Sequence, residues 1–136
     1  MSETRQGGCL CGAVRYEVKW PPIATAVCHC INCQKQAGSA LSVIAVFPRD
    51  GLSINGTLTL YEDKGESGLP VWRRFCGTCG SPVTSDTPGA QEQGIIFLKA
   101  GTLDDAHDLE PTRHYWTSSA QSWFKLPDGV TCLEKQ

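Results

Sequence analysis

No stretch of the chain approaches the uninterrupted apolar run of roughly 18 residues that a membrane span requires, so the sequence reads as that of a soluble protein. The opening segment MSETRQGG lacks a basic start followed by an apolar core, so no secretory signal is read and the expected compartment is the reducing cytoplasm. A basic stripe is missing as well. The formal net charge is −2 and adjacent basic pairs such as Arg73 and Arg74 stand alone, which argues against a nucleic-acid partner. Repeats, linkers and low-complexity blocks are also absent, and 136 residues fall within the usual size of one domain, so residues 1–136 are expected to form one.

Cysteine, by contrast, is abundant. Eight occur, at positions 9, 11, 28, 30, 33, 76, 79 and 132, and seven of them fall in tight groups separated by one or two residues. In a secreted chain an even number would suggest a disulfide framework. In a reducing compartment the same spacing suggests metal ligation.

The remaining pattern is mainly that of strands. Val14, Tyr16, Val18 and Trp20 alternate with Arg15, Glu17 and Lys19, the period of a half-buried strand. Leu41 to Phe47 reads as a strand buried on both faces and ended by Pro48, while Thr57 to Tyr61 places Leu58 and Leu60 on one side. Val71 to Phe75 and Ile95 to Ala100 complete the set, and TSDTPGAQEQG between them reads as turns. Short helices are expected only over 32–38 and over 118–123, the second with Ser118 as its N-cap.

Cys9 and Cys11 are two apart, so in an extended chain both sulfurs project from one face while Leu10 faces away. FCGTCGS, from Phe75 to Ser81, is a C-x-x-C knuckle whose Gly77 and Gly80 allow a tight turn around an ion. Together Cys9, Cys11, Cys76 and Cys79 supply the four thiolates of a closed, structural zinc site that tethers the start of the chain to a point beyond its middle. The segment CHCINC offers three more, from Cys28, Cys30 and Cys33. His29 projects to the other side and is poorly placed to join them. A zinc held by three thiolates keeps a position for substrate. The opposing reading is a second structural zinc completed by Cys132 or by a histidine.

The order C-x-C, CHCINCQKQAG, FCGTCGSPV and EPTRHYW, followed by Trp123, resembles the glutathione-dependent formaldehyde-activating enzymes, a family to which eukaryotic centromere protein V is related. The resemblance spans nearly the whole chain and departs from the family at Gln34, where arginine is frequent, and at Ser119 and Ala120, where a basic residue is common. It implies an Mss4-like β-tent of antiparallel sheets with zinc knuckles. It also implies two zinc ions per chain, with Cys9, Cys11, Cys76 and Cys79 as structural ligands and Cys28, Cys30 and Cys33 as ligands of a catalytic zinc. The implied activity is that of a carbon–sulfur lyase joining glutathione to formaldehyde, with glutathione or a related small thiol as co-substrate.

Zinc keeps a bound thiol in its thiolate form, and a centre already rich in anionic sulfur is a weak Lewis acid, which favours thiol addition over hydrolysis. Lys35, Arg73 and Arg74 are candidates for gripping the carboxylates of the tripeptide, against the plainer reading of solvated surface charges. His29 is a candidate catalytic group that tunes the central zinc, against a hydrogen-bonded filler. His114, Trp116 and Trp123 read as core before pocket lining, and Cys132 as a buried or free thiol outside both groups. A non-catalytic zinc module that binds a partner, or a redox-sensing zinc switch, would carry the same cysteines. The sequence does not specify an oligomeric state.

Overall fold

Glycine and proline punctuate a run of short strands, and in the computed structural model, which describes residues 3–135, these assemble into two sheets. The smaller sheet is antiparallel, ordered β1-β2-β5, from Glu3–Gly8 (β1), Arg15–Trp20 (β2) and Leu52–Asn55 (β5). The larger has eight strands: Ala24–Cys28 (β3), Ser42–Pro48 (β4), Leu58–Lys64 (β6), Pro70–Cys76 (β7), Pro82–Asp86 (β8), Ile95–Lys99 (β9), Arg113–Tyr115 (β10) and Thr131–Cys132 (β11). Its order is β11-β10-β3-β4-β9-β8-β7-β6, antiparallel except where β10 runs parallel to both β3 and β11. This is the mainly β architecture expected, with a parallel corner the resemblance did not imply.

The core lies between the sheets. Tyr16 and Val18 of β2 meet Ala45 and Phe47 of β4, Val83 of β8 and Leu98 of β9, each almost wholly removed from solvent. Period-two alternation positions them, since Arg15, Glu17 and Lys19 leave the opposite face of β2 to water. Burial of each such side chain contributes roughly 1.5–3 kcal/mol. On β4 both faces are at least half covered, as expected for an inner strand. Alternation over Thr57 to Tyr61 predicts less well. The strand forms, but β6 is the outer strand of its sheet, so Leu58 is half-buried while Leu60 stays 48% exposed.

The helix expected over 32–38 is α1, Ile31–Ala37, capped by the Cys30 sulfur at its start and by Gly38 in the left-handed region (φ 63°) at its end. The one expected over 118–123 is absent. That stretch holds a single 3-10 turn, Thr117–Ser119, and Ser118 donates its hydroxyl to the Glu134 carbonyl instead of capping a helix. So short a segment gains too little from local hydrogen bonds to stand as a helix, and its backbone bonds to the C-terminal tail instead. Conversely, TSDTPGAQEQG contains a second helix, α2, Pro88–Gln93, with Thr87 as N-cap, proline at the first position and Gly94 as C-cap. Among the described residues no helix is long and apolar enough to cross a membrane.

Candidate metal centres and the adjoining cleft

The loop after β1 and the turn after β7 meet at one edge of the molecule, where the sulfurs of Cys9, Cys11, Cys76 and Cys79 all lie within 4.8 Å of one another. Cys9 and Cys11 are 3.7 Å apart and Cys11 and Cys76 3.8 Å. A tetrahedral ion with bonds of about 2.3 Å to sulfur separates its ligands by about 3.8 Å, so the spacing fits a four-thiolate metal. Backbone donors point inward: Val14 N–H to Cys9 (3.2 Å) and Thr78 N–H to Cys76 (3.4 Å). Ser81 binds both arms, accepting from Leu10 N–H and standing 3.3 Å from the Cys79 sulfur, whose pKa its hydroxyl and backbone pull down to about 5. Gly80 closes the knuckle at φ 81°, a conformation costly for any residue with a Cβ.

The second group forms where β3 passes into α1. Cys28 ends the strand, Cys30 caps the helix and Cys33 lies in its first turn, and the three sulfurs again fall within 4.8 Å of one another. Cys33 N–H donates to the Cys30 sulfur at 3.2 Å. The Cys33 thiol is driven well below its ordinary value, first by hydrogen bonds from Cys28 and Cys30, with the Arg73 and Lys99 cations adding to the effect. Cys28 is pushed up correspondingly. Among the described residues no fourth cysteine or histidine joins this group. Cys132 sits exposed on β11, outside both clusters.

His29 does turn away from the sulfurs. Its ring is fully buried, with Nε2 2.9 Å from His114 Nδ1 and Phe124 against both rings. Burial pushes both imidazoles below their usual pKa, so they are neutral near pH 7. Gln34 ties this backing together, donating to the His29 and Ser119 carbonyls and accepting from Gln121. His114 is therefore core, as expected. Trp116 is half-buried and Trp123 is 69% exposed, so the second tryptophan is no core residue and Phe124 takes the inner place.

Arg73 and Arg74 are consecutive on β7 and point to opposite faces. Arg74 faces Asp86, 3.7 Å away, which Arg49 also binds, and does not border the cleft that Arg73 lines. Arg73 is only 5% exposed, so it is no solvated surface charge. Its Nε donates to Asp63 at 2.9 Å and its Nη2 lies 3.9 Å from the Cys33 sulfur. Asp63 also accepts from Asn32 of α1 (3.1 Å), latching the β6–β7 hairpin to the helix. Between them opens a cleft of about 300 Å³ lined by Asn32, Lys35, Gln36, Tyr61, Asp63 and Arg73. Lys35 and Arg73 thus share one cleft beside the central sulfurs, without Arg74. Sequence reading overlooked Asp63 and also Lys99, a buried lysine whose Nζ donates to Ser42 at 2.7 Å.

Fold and sites together define a mainly β protein organised around two thiol clusters able to hold metal ions. The family model for glutathione-dependent formaldehyde-activating enzymes matches residues 4–119, and the chain belongs to that family. A Halomonas elongata protein provisionally named as a glutathione-dependent formaldehyde-activating enzyme is 29% identical over 128 residues, covering 89% of this chain and 80% of the relative. A crystal structure of a Rhodobacter sphaeroides protein shares the fold, with a TM-score of 0.56 and 21% identity over 78% of this chain and 91% of the other.

Proposed function

We propose that the chain is a zinc-dependent carbon–sulfur lyase that adds glutathione, or a related thiol, to formaldehyde and can reverse the addition. One observation carries the reading: a cluster of three thiols with no fourth protein ligand among the described residues lies beside a cleft with two cations. Cys28, Cys30 and Cys33 would hold the zinc, which would supply the charge that keeps a bound thiol ionised and nucleophilic near neutral pH.

Around it the side chains divide the work. Lys35 and Arg73 offer charge-assisted hydrogen bonds to carboxylates of the tripeptide, and the Asp63 carboxylate holds the Arg73 guanidinium in place. Tyr61 supplies an aromatic wall. His29, neutral and bonded to His114, fixes the knuckle from behind without entering the ligand set. In the addition the substrate sulfur forms a bond to the carbonyl carbon, the π electrons move to oxygen, and that oxygen takes up a proton. In reverse the hydroxyl loses the proton, the carbon–sulfur bond breaks and the thiolate departs. Holding thiol and aldehyde together turns the addition into an effectively unimolecular step.

Metal analysis together with a glutathione titration of the cobalt-substituted protein tests this. Two ions per chain and a saturable change in the spectrum of one of them are expected. A single ion, or a spectrum that glutathione leaves unchanged, would favour a non-catalytic zinc module instead.

A further inference from the structure

Two buried cations stand near the central sulfurs, and they are not equivalent. Arg73 is matched by the Asp63 carboxylate. Lys99, at the end of β9 and 5% exposed, takes part in no ion pair with a carboxylate among the described residues. Its hydrogen-bond partner there is the Ser42 hydroxyl, itself buried.

Sheet register explains its location. Ser42 lies opposite Cys28 in the β3–β4 ladder, and Ile44, two residues on, lies opposite Lys99 in the β4–β9 ladder. Cys28, Ser42, Ile44 and Lys99 therefore share one face. A lysine is rarely buried without a partner. Burial lowers its pKa, as does the nearby Arg73 cation, and the charges opposing that fall are those of Cys33, Cys28 and Cys30.

The charge count gives the consequence. Three thiolates around a divalent ion would carry a net charge of −1, and an incoming thiolate would raise the burden to −2 in a half-buried place, where Arg73 already shares its charge between Asp63 and the Cys33 sulfur. Of the two buried cations, Lys99 is the one whose charge no carboxylate shares among the described residues. We propose that Lys99, fixed by Ser42, is a positioning residue whose ammonium makes the central centre select an anionic thiolate over a neutral ligand for its fourth position. The proposal rests on the lyase reading above and names what that reading leaves open, namely the source of ligand selectivity.

The test uses the full chain loaded with cobalt(II), titrated separately with 2-mercaptoethanol, which has no carboxylate for Lys35 or Arg73, and with neutral imidazole. Lys99→Met is expected to weaken 2-mercaptoethanol about 10-fold or more and to change imidazole affinity by less than about 2-fold, with Lys99→Arg restoring most of the thiol affinity. Ser42→Ala, which frees the ammonium without removing it, should cost about 2- to 3-fold. Equal thiol binding by wild type and Lys99→Met overturns the proposal while leaving the lyase reading in place, and so does an equal loss of both ligands. Lys99→Gln serves as a second neutral variant. If both neutral variants fail to hold the central ion, Lys99 serves assembly and the proposal is wrong. A wild-type centre that binds no thiol ends the lyase reading and this proposal together.

Discussion

The two cysteine clusters offer the same ligand atom and both receive backbone N–H donors, yet their chain origin and neighbouring side chains differ. Cys9, Cys11, Cys76 and Cys79 come from segments far apart in sequence, pack with Val14 and Leu58, and are supported by backbone N–H groups and by Ser81. Cys28, Cys30 and Cys33 come from six consecutive residues and are surrounded by ionic and polar side chains: Arg73, Lys99, Asp63, and the His29–His114 pair behind. A closed ligand set joined to distant chain segments secures a fold. A local, open set among charges can exchange a ligand. Under the proposed function, what would distinguish a structural centre from a reactive one is thus the neighbourhood of the sulfur more than the sulfur itself.

The largest contrast should appear on replacing one ligand in each cluster. Cys76→Ser is expected to lower the melting temperature by at least about 15 °C or to prevent cooperative folding, whereas Cys30→Ser should shift it by less than about 5 °C. Metal content should fall by one ion in the second variant, with lyase turnover down at least about 100-fold. Thermal unfolding with metal analysis checks both, and comparable destabilisation would erase the division.

A smaller effect separates recognition from reactivity within the central region. Arg73→Gln should weaken glutathione about 10-fold and leave 2-mercaptoethanol nearly unchanged, read by parallel titrations, because only glutathione carries carboxylates to the cleft. Equal losses for both thiols would move Arg73 from substrate recognition to support of the Cys33 sulfur.

The smallest effect concerns protons. His29 and His114 have folded-state pKa values lowered by burial, so as pH falls below about 6.5 the unfolded chain takes up protons first. Stability is therefore highest above that value and declines below it, by up to about 1.4 kcal/mol per pH unit for each imidazole. His114→Gln should flatten this decline between pH 6.5 and 5 in denaturant titrations. An unchanged slope would mean that His114 contributes nothing to the decline.

Much of this was legible in the cysteines, because metal ligands cluster within short segments whose spacing survives without knowledge of the fold. The β2 alternation and the α1 helix were legible for the same local reason. What escaped depended on distant partners. The parallel pairing of β10 with β3 joins residues near 114 to residues near 27, and no local pattern announces it. The exposed Trp123 and inner Phe124 exchange places because no helix forms there to set a periodicity. Two signals went unused. Arg73 and Arg74 are adjacent in a strand read correctly from sequence, which already requires that only one of them face the cysteines. Lys99 closes the apolar run IIFLK, where a cation has to find a partner.

The return of the C-terminal strands beside β3 sets an order for the molecule's making. A chain emerging from the ribosome has released all four cysteines of the first cluster once residue 79 is free. The other centre, complete in its sulfurs by residue 33, still lacks the cation at 99 and the histidine and aromatic backing at 114 and 124. Under the proposed function, synthesis would thus anchor the architecture first and finish the reactive pocket last.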